Sequence, residues 1–168
     1  LASAGLDVQQ TMQATRGVVA LAEATMSDIE QSAELVTQAL GSFRLSADQA
    51  TRVANVFAAA ISKSPLNMER LAASFPYAAA QASAFGLSIE ETTAALMALA
   101  KAGLTGSMAG TGLRGVLAEM TVQSDKGKEI LASYGLTMRD IDPTVNGFAQ
   151  SIENVRRAGI SASDMLEV

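Results

Sequence analysis

The run Ala98-Leu99-Ala100-Lys101-Ala102-Gly103-Leu104-Thr105-Gly106-Ser107-Met108-Ala109-Gly110-Thr111-Gly112-Leu113-Arg114 decides how this chain is read. It closes one alanine-rich helix, turns through glycines, and opens a second helix whose first turns are almost all small residues. A helix face of Gly, Ala, Ser and Thr lets a neighbour come close, because little side chain separates the two backbones. The spacing therefore predicts that Gly106, Ser107, Ala109 and Gly110 lie where two helices approach unusually closely. Residues 110–115 also match the dinucleotide pattern G-x-G-x-x-G. That pattern works only after a buried strand, with the pyrophosphate on the following helix N-terminus. Here Leu96, Leu99 and Gly103 continue a helical spacing and no β-branched run precedes the glycines, so the match reads as a small-residue helix face.

Outward from this segment the same grammar recurs: helix, glycine, one aliphatic residue, new cap. It appears as Ala4-Gly5-Leu6-Asp7, Phe85-Gly86-Leu87-Ser88, Ala102-Gly103-Leu104-Thr105, Tyr134-Gly135-Leu136-Thr137 and Ala158-Gly159-Ile160-Ser161. Phe43-Arg44-Leu45-Ser46 is a variant without glycine. Glycine ends a helix in the left-handed conformation, and Ser, Thr or Asp caps the next. Capping boxes are expected at Ser27/Glu30, Ser46/Gln49 and Ser88/Glu91. The units are irregularly spaced, which excludes a fixed-period solenoid.

Apolar steps of three and four place helices at about 28–43 (Ile29, Ala33, Val36, Leu40, Phe43), 47–63 (Ala47, Ala50, Ala54, Phe57, Ile61) and 68–85 (Met68, Leu71, Phe75, Ala79, Ala82). Pro76 is expected to kink the last of these. Further helices are expected at about 89–102, 108–121, 125–134 and 144–158, the last with Val145, Phe148, Ile152 and Val155 on one face. A helix over about 7–24 is expected to break near Arg16-Gly17. Ser64-Pro65 and Asp142-Pro143 mark the longer loops. The fold class is all-α: an irregular bundle of about seven to nine short helices in one helical domain over residues 1–168.

Composition limits what such a bundle does. Apolar residues make up 49 % of 168 residues but aromatics only 4 %, and alanine dominates. Burial per residue is small, so close packing must supply the stability, which is expected to be modest. Net charge is −5, from 17 acidic and 12 basic residues, with no clustered basic surface for nucleic acid. There is no Cys and no His, which removes disulfides, thiolate chemistry and ordinary zinc sites. Leu1 to Leu6 lack a basic start and an apolar core, so no signal peptide is read there. The chain lacks an initiator Met, and Ser161-Ala162-Ser163-Asp164 announces a helix just before Val168. It is thus expected to be a piece of a longer protein. The uncharged run between Arg70 and Glu90 nearly reaches membrane-spanning length. Ser74, Pro76, Gln81, Ser83, Gly86 and Ser88 interrupt it, which favours a buried helix.

Candidate chemistry is sparse. Glu90/Glu91 and Asp140/Asp142 are the adjacent carboxylate pairs, and two carboxylates suffice for glycoside hydrolysis. Their positions, in a first helical turn and around a turn before Pro143, are explained by capping. Arg156-Arg157 closes a helix, where cations meet the negative end of the dipole. The eight Met residues are expected as core filler. No catalytic, metal or cofactor-binding residue is assigned, and no cofactor is expected.

The order of these pieces resembles the core region of phage tail tape measure proteins. The resemblance is carried by residues 1–7, 32–40, 50–60 and 84–96, and most specifically by Ala102 through Arg114. It covers about residues 1–160. Gly112 departs from the alanine or other small residue that family members often have there, which would loosen the helix start. The resemblance implies a structural, non-enzymatic protein of phage or prophage origin that acts as a ruler for tail length during virion assembly. It implies a place in the virion tail, and in the host cytoplasm during assembly. The implied partners are the tail tube protein, tail assembly chaperones, and distal tail or baseplate proteins, with no specific nucleic acid. A homo-oligomer and transient contact with the host membrane stay open. The alternatives are a membrane-active helical segment aiding DNA entry and a fragment of a cell-wall hydrolase.

Overall fold

A computed structural model describes residues 7–120 and 125–161. Among them the chain forms ten α-helices, one 3-10 turn and no strand. The helices are α1 (Val8–Thr25), α2 (Ile29–Ser42), α3 (Ala50–Lys63), α4 (Met68–Ala84), α5 (Ile89–Lys101), α6 (Ser107–Glu119), α7 (Asp125–Ser133), α8 (Met138–Ile141), α9 (Pro143–Asn146) and α10 (Phe148–Ala158), with the 3-10 turn Ala47–Gln49 leading into α3. The all-α class and the irregular bundle are as the periodicity predicts. The readings at Leu1 to Leu6 and at residues 162–168 lie outside the described residues.

Helices α1 to α6 share one core. Phe57 and Phe75 are fully buried and meet edge to face, with ring centroids 5.1 Å apart at 81°. Phe43 reaches Phe75 at 6.0 Å, so three of the five phenylalanines tie α2, α3 and α4 together. Around them lie Leu21, Leu35, Val36, Val53, Leu71, Ile89, Leu96 and Leu117, with alanines between. The stripe Met68, Leu71, Phe75, Ala79, Ala82 is buried throughout. Helix α4 continues through Pro76, whose ring is exposed. The uncharged run 71–89 spans the end of α4 and the turn at Gly86, and no helix among the described residues is long and apolar enough to cross a membrane.

The turns follow the predicted grammar. Gly86, Gly103, Gly135 and Gly159 all have positive φ. The N–H groups of Leu87, Leu104 and Leu136 donate back to the carbonyls of Ala82, Leu99 and Leu131 at 2.8 to 3.0 Å, closing the helix ends. Leu87 is buried beneath its turn, whereas Leu104 is exposed.

Several expectations are corrected. Helix α1 does not break at Arg16-Gly17; Gly17 is buried in mid-helix. The helix expected over 144–158 is two elements, because Gly147 at φ 77° ends α9 before α10 begins. The Asp142-Pro143 loop contains the one-turn helices α8 and α9, too short to show a period. Asp28, not Ser27, caps α2, accepting from Glu30 N at 2.7 Å, while Ser27 Oγ lies 2.7 Å from Thr25 Oγ1. Ser46 caps with its carbonyl rather than its hydroxyl. The Ser88/Glu91 box forms, and an unforeseen one joins Asp7 and Gln10. Ile29, Val145 and Ile152 are exposed although they lie on apolar stripes. Met12, Met26 and Met108 are likewise exposed, so the methionines are not all core filler.

Candidate functional site

The two most extensive helix pairs, α1 with α3 and α4 with α6, each contain a glycine pressed against a backbone. A Cβ on Gly110 would overlap the Ser74 carbonyl oxygen and lie 2.9 Å from Tyr77 Cβ. A Cβ on Gly17 would stand 2.5 Å from the Ala50 carbonyl carbon and 2.7 Å from Thr51 N. No side chain fits at either point. Ala109 and Gly110 are buried at the α4–α6 crossing and Gly106 is half-buried there, but Ser107 is exposed. The expected close approach is therefore real and is centred one turn later than its first serine. The three glycines of the dinucleotide pattern lie within α6, with no strand before them among the described residues.

The remaining glycines of α6 behave differently. A Cβ on Gly112 or Gly115 meets nothing within 4 Å, and neither has positive φ. Glycine in such a place only weakens the helix. Gly112→Ala is therefore expected to stabilise the fold by about 0.5–1 kcal/mol, read as a higher denaturation midpoint.

The carboxylates are engaged in caps and an ion pair. Glu91 accepts from Ser88 N at 2.9 Å, completing its cap. Glu90 takes a two-pronged hydrogen bond from Arg52, Nε at 2.7 Å and Nη2 at 2.8 Å, joining α5 to α3. Arg52 also donates to Gln49. The Arg52 hydrogen bonds hold the Glu90 carboxyl below its ordinary range, against a smaller opposing effect of burial. Both side chains are nearly half exposed, so this pair contributes at most about 1 kcal/mol. Asp140 accepts from the Thr137 N–H and hydroxyl, which lowers its pKa, and Asp142 accepts from Thr144 N. The Arg52–Glu90 pair spans 38 positions, and nothing local in the sequence signals it. Among the described residues, no group of three or more Asp or Glu is placed to hold a metal ion.

Arg156 and Arg157 do sit in the last turn of α10, and both also donate to Glu153 at 2.6 to 2.8 Å. Arg156, then Arg157, brings the Glu153 carboxyl down to about 2. A depressed folded value means the stabilisation is complete above the ordinary carboxylate range. It is lost as pH falls from about 5 toward 2. Protection of the α10 amides, taken relative to the intrinsic exchange rate at each pH, is expected to fall across that window, and Glu153→Gln is expected to remove that dependence.

Helices α6, α7, α8 and α10 border an apolar cavity of about 190 Å³, lined by Val116, Met120, Leu131, Ile141, Ile152 and Val155 with Glu119 at its edge. Sequence reasoning placed Ile152 and Val155 on one apolar stripe but could not show that the stripe borders an open space.

The chain matches the family described as phage-related minor tail protein over residues 1–168. It is 34 % identical over 158 residues to the tape measure protein of Pneumococcus phage Dp-1, covering 94 % of this chain and 14 % of that protein. It is 34 % identical over 140 residues to the probable tape measure protein of Escherichia phage P2, covering 83 % of this chain and 17 % of that protein. The chain thus spans about a sixth of the length of these relatives. No solved structure matches it at a significant level. With the family matched along its whole length, this chain belongs to the phage-related minor tail proteins.

Proposed function

We propose that this chain is one helical domain of a longer tape measure protein, that it contributes to setting tail length, and that its role is not enzymatic. The observation that carries the reading is the 34 % identity to a tape measure protein across 94 % of the chain. The glycine crossings and the engagement of the carboxylate pairs in caps and an ion pair are consistent with it. On this reading the protein works in the virion tail, after assembly in the host cytoplasm with tail chaperones. It lies inside the tail tube, contacts distal tail or baseplate proteins, and leaves the tube ahead of the DNA at infection.

The physical basis is the length hidden in a bundle. As continuous helix, 168 residues span about 250 Å at about 1.5 Å per residue. Alanine-rich packing gives each helix little apolar area to hold it in place. In-frame deletion of residues 46–63 from the full-length protein is expected to shorten the tail by about 27 Å, as measured in electron micrographs. Tails of unchanged length would instead assign this region to docking the ruler.

A further inference from the structure

We infer that the two turns joining α1, α2 and α3 are switch points at which the three helices can fuse into one. This rests on the ruler reading for its purpose, but its thermodynamics can be tested on the chain alone. Elsewhere the left-handed turn positions are glycines: Gly86, Gly103, Gly135 and Gly159. At the two N-terminal turns the residues are Met26, at φ 50°, and Arg44, at φ 53°. For such residues the left-handed conformation is strained, whereas both are strong helix formers. Neither side chain compensates. Met26 is 96 % exposed and Arg44 is exposed, and among the described residues neither side chain has a hydrogen-bond partner.

Among the described residues the hold on these helices is apolar and without ionic cross-links: no ion pair involves α1 or α2. They are held by caps and by apolar contacts such as Val18, Leu21, Leu35 and Val36. If those contacts are replaced by contacts with another apolar surface, both turns gain by relaxing into helix. Residues 8–63 then form a rod of about 84 Å. Glycine at either position would act oppositely, relieving the turn and weakening the rod.

Two measurements test this. Met26→Gly and Arg44→Gly are each expected to raise the melting midpoint of the chain by about 2–4 °C, while Met26→Ala, which keeps the strain, does not. An unchanged or lowered midpoint for both glycine variants overturns the strain. Second, because the chain has no native cysteine, spin labels on Gln13→Cys and Gln38→Cys report one distance. In tails assembled from the full-length protein, otherwise free of cysteine, a separation of about 37 Å is expected for the fused helix. The short separation of the folded hairpin in those tails overturns the switch. The ruler reading would survive that result if a tandem duplication of the whole chain still lengthened the tail.

Discussion

Phe75→Ala is expected to destabilise the chain by about 3–5 kcal/mol, the range for emptying a fully buried aromatic site. Phe75 is fully buried and meets both Phe57 and Phe43, so its removal opens a cavity at the junction of α2, α3 and α4. Many residues of this core are alanines, which cannot extend to fill the space. Against a total stability of the usual 5–15 kcal/mol, such a loss removes a large fraction of the folded state's margin. Urea denaturation followed by circular dichroism measures it. A loss below about 1 kcal/mol would show that the aromatic junction is not the centre of the core.

Gly110→Ala is expected to cost about 3 kcal/mol, at the upper end for overpacking, because the added methyl overlaps main chain rather than a side chain that could turn away. Gly17→Ala meets backbone at the α1–α3 crossing and is expected to behave alike. The contrast with Gly112→Ala is the informative part. The same substitution two positions along the same helix is expected to stabilise, since helix propensity acts there without a clash. If Gly110→Ala and Gly112→Ala shifted stability equally, close approach would play no part at α6.

These residues also show what was legible in the sequence. Gly110 was, because a run of small residues in a helical frame has few other uses. The stripe of α4 was, because every member falls on one face at steps of three and four. Gly86, Gly103 and Gly135 were, because glycine followed by leucine and a cap residue writes a helix end locally. Gly17 was misread as a break. Its local cost of about 1 kcal/mol is set against the packing of an 18-residue helix, and packing wins. Met26 and Arg44 gave no signal, since their left-handed turns are imposed by tertiary packing against their own preference. Ile29 and Ile152 lie on apolar faces that no other described element fully covers, and periodicity reports a face without reporting its cover. The pairing of Arg52 with Glu90 arises only once α3 and α5 are side by side.

The ruler reading is tested most directly by lengthening rather than shortening the protein. Deleting residues 46–63 removes α3 and with it the partner of α1, so loss of fold and loss of length become mixed. A tandem duplication of all 168 residues within the full-length protein keeps every contact intact. Measured in electron micrographs, tails carrying the duplication are expected to be longer by about 250 Å, at about 1.5 Å per added residue. Tails of unchanged length would contradict the account.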